Sequence, residues 1–130
     1  MSRVLIVDDV PITHRIIKNI LGSQYDYSTA ECGLSALDAY HKSFKREEPF
    51  DIIFLDILIP HKDGLDVLRH IREYEQQRSD GYHTYVIVIT HLKSQDIENK
   101  AQEAGCDAFV RKPLLREVIM SSVEEVDTPA

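Results

Sequence analysis

Val4-Leu5-Ile6-Val7 runs directly into Asp8-Asp9, and the same pattern recurs downstream: Ile52-Ile53-Phe54-Leu55 ends on Asp56, and Val86-Ile87-Val88-Ile89 ends on Thr90. A shorter run, Ala108-Phe109-Val110, leads into Arg111-Lys112-Pro113. Continuous β-branched runs of this length, separated by helical stretches, read as strands of a parallel sheet, because only a strand covered on both faces is apolar at every position. Strands that all point one way bring the residues past their C-terminal ends to one edge, where open α/β sheets bind ligands. Asp8, Asp9, Asp56, Thr90 and Lys112 are therefore expected around one pocket, although they span most of the chain.

Working outward, helical segments alternate with these strands, the βαβ signature. Pro11 suits the first turn of a helix whose face is marked by Ile12, Ile16, Ile17 and Ile20 and which Gly22 ends. A weaker strand over about 25–30 alternates with polar residues and is expected at a sheet edge. The second helix carries Leu34, Leu37, Tyr40 and Phe44, with Pro49 ahead of the next strand. Gly64 punctuates the loop after Asp56, and Leu65, Leu68 and Ile71 begin a third helix expected to fray near Ser79-Asp80-Gly81. A fourth helix, from about Ser94 to Ala104, carries Ile97 and Ala101 and stops at Gly105. The fifth follows Pro113, with Leu115, Val118, Ile119, Val123 and Val126 on its buried side. The domain is expected over 1–126, with 127–130 a loose tail or the start of a linker.

A chain of 130 residues suits one domain with its own core. Its 43% hydrophobic and 28% charged content is ordinary for a globular protein. No apolar stretch approaches the ~20 residues needed to cross a bilayer. Met1-Ser2-Arg3 leads straight into the first strand, which leaves no room for a signal peptide, so a cytoplasmic location without membrane contact is expected. The net charge of −7 argues against direct nucleic-acid binding by this domain.

Carboxylates that converge repel one another, and burying them unpaired is costly. A hard divalent cation resolves the conflict, and Mg²⁺ needs only one or two carboxylates plus waters and substrate oxygens. Asp56 can then remain ionised and act as a nucleophile. A phosphoryl group is its natural electrophile, since Lys112 and Thr90 add an ammonium and a hydroxyl donor for a transferring PO₃ unit. The chemistry implied is an aspartyl phosphate. Each residue alone has a plainer use: Asp8 or Asp9 could cap the helix at Pro11, Thr90 be a strand residue, and Lys112-Pro113 a loop. Their order and shared position at strand ends set them apart.

In these segments the chain resembles the receiver domains of two-component response regulators, over about Arg3 to Val126. The matching stretches are Val4-Leu5-Ile6-Val7-Asp8-Asp9, Asp56-Ile57-Leu58-Ile59-Pro60-His61-Lys62-Asp63-Gly64, Val88-Ile89-Thr90 and Phe109-Val110-Arg111-Lys112-Pro113. The resemblance implies a flavodoxin-like (βα)5 fold, a doubly wound five-stranded parallel sheet of order 2-1-3-4-5. It also implies Asp56 as the phosphoacceptor, Asp9 binding Mg²⁺ directly, Asp8 acting largely through water, and the Leu58 backbone carbonyl completing the metal site. Thr90 and Lys112 would contact the phosphoryl group, Phe109 would pair with Thr90 as the switch, and the Lys112-Pro113 bond is commonly cis in the family. The implied donor is a sensor histidine kinase or a histidine phosphotransfer protein. The implied output is a separate partner or an attached effector domain. Such a domain catalyses only its own phosphorylation and slow dephosphorylation. It would be a stand-alone regulator or part of a longer one.

Departures from the family pattern are His91 after Thr90, where a small residue is usual, Ile59 where Met is frequent, and Tyr85 where Pro often stands. The bulk of His91 is expected over the mouth of the site. By the resemblance, the positions best placed to hold a hydrolytic water are Leu58 and Leu92, two residues past Asp56 and Thr90; both are apolar, which implies a long-lived phosphate. A haloacid-dehalogenase-like phosphotransferase would need a second Asp at Leu58. A flavodoxin-like cofactor carrier would need a phosphate cradle where Asp8-Asp9-Val10-Pro11 repels one. A non-phosphorylated pseudo-receiver is disfavoured by the intact Asp56, Thr90 and Lys112. With strand order 2-1-3-4-5, Cys32 and Cys106 lie at opposite edges, roughly 19 Å apart against the ~7 Å limit of a disulfide, and are expected as thiols. Of the six histidines, His14, His61 and His91 are expected at the acidic rim, not as ligands, since no pair has the i, i+4 spacing of a zinc motif.

Overall fold

The computed structural model describes residues 2–58 and 63–127, with side chains through 124. The strands are β1 (Ser2–Val7), β2 (Tyr25–Ala30), β3 (Ile52–Asp56), β4 (Tyr85–Thr90) and β5 (Ala108–Arg111). They alternate with α1 (Pro11–Leu21), α2 (Gly33–Lys45), α3 (Gly64–Gln77), α4 (Gln95–Ala104) and α5 (Arg116–Asp127). The sheet runs β2-β1-β3-β4-β5 with every pair parallel, the doubly wound flavodoxin-like order. The half-polar β2 is at an edge, as its alternation suggests. Asp127 closes α5; the supposed tail beyond it and the side chain of Val126 lie outside the described residues, as do Ile59, Pro60, His61 and Lys62.

Side chains alternate across the sheet and feed two separate cores. Leu5, Val7, Ile53, Leu55, Val86 and Val88 face one side, where Ala36, Tyr40, Leu68, Ile71 and Ala101 of α2, α3 and α4 cover them. Val4, Ile6, Phe54, Ile87, Ile89 and Val110 face the other, against Ile17, Leu21, Ile119 and Val123 of α1 and α5. The helix faces differ in phase from the sequence pattern. On α1 the buried stripe is Thr13, His14, Ile17 and Leu21, while Ile12 and Ile16 are exposed. Leu34, Leu115 and Val118 are exposed as well, so only Ile119 and Val123 of the proposed α5 face are buried among the described side chains.

Local chemistry starts and stops the helices. Pro11 opens α1 with no side-chain cap, and the Asp8 carboxylate instead accepts from the Val10 N–H (2.8 Å), a two-residue turn typical of Asp. Ser94 caps α4 through the Asp96 N–H (3.1 Å), with Asp96 and Glu98 complementing the helix dipole. Gly105 ends α4 at φ 106°, a left-handed conformation costly for other residues.

At the edge opposite the carboxylates, the half-buried guanidinium of Arg72 gathers several elements. It donates to the Gly105 carbonyl (2.8 Å), the Thr84 carbonyl (2.8 Å), Glu75 (2.7 Å) and Asp107 (2.7 Å). Asp107 in turn accepts from the Val86 N–H (2.8 Å) and Glu75 from the Thr84 N–H (2.6 Å). Removing the arginine would leave Glu75 buried without its counter-charge, a loss of about 3–5 kcal/mol for a pair of this kind.

Both cysteines are thiols on outer elements of the sheet, as expected. Cys32 sits at the N-cap of α2, where hydrogen bonds with Ser35 lower its pKa. Burial pushes the Cys106 thiol up to about 11. Because the thiolate is the nucleophile, iodoacetamide at pH 7.5 should alkylate Cys32 at least about tenfold faster than Cys106. Raising the pH through 9 should leave Cys106 the slower of the two. Mass mapping of the alkylated peptides reads this directly, and prior modification of Cys106 would contradict it.

Candidate functional site

The C-terminal ends of β1, β3, β4 and β5 converge as the sequence predicts. Asp8 is fully buried and Asp56 nearly so, while Asp9 is exposed. One carboxylate oxygen from each of the three lies within 4.8 Å of the others. Lys112 follows β5, and its ammonium donates to Asp8 (2.8 Å) and Asp56 (3.0 Å) at once. The second Asp56 oxygen accepts from the Leu58 N–H (2.9 Å). The Lys112-Pro113 peptide is cis.

Burial is the main force raising the Asp56 pKa, with the nearby Asp8 charge adding to it; the Leu58 N–H and Lys112 work in the opposite direction without overcoming it. Burial also works against the Lys112 ammonium, but its bonds to Asp8 and Asp56 outweigh that and leave its pKa raised. The two shifts differ in kind because Lys112 serves two acids, whereas Asp56 shares its one cation with Asp8. Three carboxylates against one ammonium leave the cluster short of positive charge. Its donors are hard oxygens, partly buried and open on the Asp9 side, and they fit a small divalent cation of the Mg²⁺ type.

Thr90 is fully buried at the end of β4. Its hydroxyl oxygen accepts from the Leu92 N–H (3.1 Å) and its carbonyl from the Lys112 N–H (2.7 Å), which ties the ends of β4 and β5 together. The hydroxyl proton remains able to donate into the site. By strand alternation Thr90 shares the sheet face of Val86 and Val88. Phe109, opposite Val88 in the register, packs half-buried on that same side. The Arg111 guanidinium lies 5.0 Å from the centre of its ring. Leu58 is exposed and Leu92 half-buried. His91 is exposed.

Two supporting residues carry more than the sequence suggested. The buried His14 on α1 donates from Nε2 to the Asp8 carbonyl (2.8 Å), which fixes its tautomer and holds the backbone between the two acids. Gly64 opens α3 directly against the end of β3: a Cβ there would come within 2.7 Å of the Asp56 carbonyl oxygen and closer still to Ile57 Cα. Both obstacles are backbone, so glycine is required for α3 to start where it does.

The response regulator receiver domain family model matches residues 4–124, and the chain belongs to that family. It is a receiver domain of the two-component signalling type, a signalling module as opposed to a conventional enzyme. It is 32% identical over 126 residues to the chemotaxis protein CheY of Pseudomonas aeruginosa, covering 95% of this chain and 94% of the relative. To hybrid signal transduction histidine kinase I of Dictyostelium discoideum it is 33% identical over 127 residues, 94% of this chain but only 7% of that much longer protein. Among solved structures, CheY in the CheX-CheY-BeF3-Mg complex of Borrelia burgdorferi superposes with a TM-score of 0.82 at 28% identity, covering 98% of this chain and 90% of that one. The BeF3-activated DrrB receiver domain superposes with a TM-score of 0.79 at 26% identity, covering 97% of each chain. No helix among the described residues is long and apolar enough to cross a membrane.

The charge shortage has a measurable consequence. An ionised Asp56 costs the fold stability because its charge is favoured more in the unfolded chain. Asp56→Asn should therefore raise the urea midpoint in metal-free buffer at pH 7.5. Millimolar Mg²⁺ should stabilise the wild type more than the variant. An unchanged or lower midpoint in the variant would show that the cluster is already balanced.

Proposed function

We propose that this receiver accepts a phosphoryl group on Asp56, with Mg²⁺, from a sensor histidine kinase or a histidine phosphotransfer protein, and that the acyl phosphate then alters the face built by α4, β5 and α5. The observation that carries the reading is the Lys112 ammonium shared between Asp8 and Asp56 inside a cluster that still lacks positive charge. A carboxylate so placed is a nucleophile beside a cation able to follow a transferred oxygen.

An Asp56 oxygen attacks the phosphorus of a phosphoimidazole, the P–N bond breaks, and its electron pair returns to the donor's ring nitrogen. Lys112 pairs with one phosphoryl oxygen and the Thr90 hydroxyl donates to another. Asp8, Asp9, Asp56 and the Leu58 carbonyl are the groups that would hold Mg²⁺, which supplies charge against the phosphoryl oxygens when bound. Ile12 and Ile16, exposed on α1 just past Asp9, offer an apolar landing for a protein donor. Movement of Thr90 toward the phosphoryl group would open space on the sheet face that it shares with Phe109. A partner preferring that arrangement shifts the population.

Incubation with acetyl phosphate and Mg²⁺ should give one acid-stable, base-labile phosphate per chain. It should be absent from Asp56→Asn and suppressed by EDTA. Equal labelling of the variant, or indifference to chelator, overturns the assignment.

The phosphate should also be long-lived, because neither the exposed Leu58 nor the half-buried Leu92 can orient a water behind the phosphorus. A Leu58→Asn, Leu92→Glu double variant should lose its phosphate about tenfold faster, followed by the decay of label after donor removal. Unchanged or slower decay would rule out control by these side chains.

A further inference from the structure

Away from the strand ends, α2 and α3 bring two imidazoles together. His41 Nε2 and His70 Nε2 lie 2.8 Å apart, on rings inclined at 82°. Two nitrogens so close cannot both carry a proton, so one donates and the other presents a bare lone pair. The His41 ring is held in place: Tyr74 packs edge-on at 4.8 Å and the buried Tyr40 at 5.6 Å. Both histidines are half-buried, reachable from solvent but not loose upon the surface. Burial, then His70 and Lys45, lower the pKa of His41, with Asp38 opposing.

We propose that His41 and His70 form a two-imidazole chelate for a borderline divalent transition-metal ion, Zn²⁺ or Ni²⁺, that clamps α2 to α3. Metal–nitrogen bonds of about 2.0–2.1 Å place two ligands about 2.9 Å apart at a right angle and about 3.3 Å apart in a tetrahedron. The two nitrogens need therefore part by no more than about half an ångström, and each ring must also turn so that the Nε2 axes, aligned on one another in the hydrogen bond, converge on the ion. Both Nε2 atoms must be bare, so the donating ring must carry its proton on Nδ1 instead. Water fills the remaining positions. The two sites of the molecule sort ions by chemistry: hard carboxylates at the strand ends suit Mg²⁺, and imidazoles suit Zn²⁺ and Ni²⁺. This chelate is independent of the phosphoryl chemistry at Asp56.

The test is calorimetric titration of ZnCl₂ into the untagged protein at pH 7.5, with Mg²⁺ in large excess to occupy the carboxylates. One ion per chain should bind saturably. Either His41→Gln or His70→Gln should weaken binding by at least about tenfold, the lower end of what loss of even an outer-shell partner costs. His83→Gln, which removes the imidazole beside Asp107, should leave it unchanged. Two-bond ¹H–¹⁵N spectra of the wild type provide a readout that needs no variant: the Nε2 resonances of His41 and His70 should both shift with Zn²⁺. No saturable binding, binding as tight as wild type in both glutamine variants, or Zn²⁺ appearing only at Asp8, Asp9 and Asp56 would each overturn the proposal and leave the pair a hydrogen bond alone.

Discussion

A strand paired in parallel with its neighbour cannot be reached by a tight turn; the chain must cross back over the sheet first. Everything else here follows from that constraint, applied to each of the strand pairs. The crossovers become helices, the helices cover both faces, and the strands they cover must be apolar on both sides. Two hydrophobic layers result, one under α1 and α5 and the other under α2, α3 and α4. Because each crossover begins where a strand ends, the polar residues that terminate the strands have no alternative but to gather.

That gathering creates an electrostatic conflict which the protein resolves only in part. Lys112 reaches Asp8 and Asp56 together, and its cation is the counter-charge that both buried acids share. His14 and the Leu58 N–H contribute hydrogen bonds to this end of the sheet. Burial still wins at Asp56, whose pKa stays above the ordinary carboxylate value. A site arranged in this manner is poised to take up positive charge, and a nucleophile inside it is held in place before any substrate arrives.

Much of this was legible in the sequence because it depends on what lies next to what along the chain. Strand ends are local, so Asp8, Asp56, Thr90 and Lys112 could be placed at one edge from their neighbours alone. Strand order was not local and came from the family likeness. The rotational phase of the helices was poorly legible: Ile12, Ile16, Leu34, Leu115 and Val118 keep the spacing of a buried face yet are exposed, because spacing defines a stripe without saying which side of it meets the sheet. Gly64 read as loop punctuation, whereas its need arises from the backbone of Asp56 and Ile57 in space. Arg72 was invisible for the same reason, its partners Gly105 and Asp107 being far along the chain. The His41 and His70 pair escaped a search for histidines one turn apart on a single helix, since it is made between two.

Arg72 gives the molecule a mechanical asymmetry. By holding Thr84 and Val86 at the start of β4, Asp107 just ahead of β5 and the Gly105 stop of α4 in one network, it anchors the two strands at their roots. Beyond those roots β4 and β5 run as one paired ribbon to their tips, where the Lys112 N–H also bonds the Thr90 carbonyl. A ribbon fixed at one end deflects most at the other, and that far end is where Thr90 and Lys112 stand.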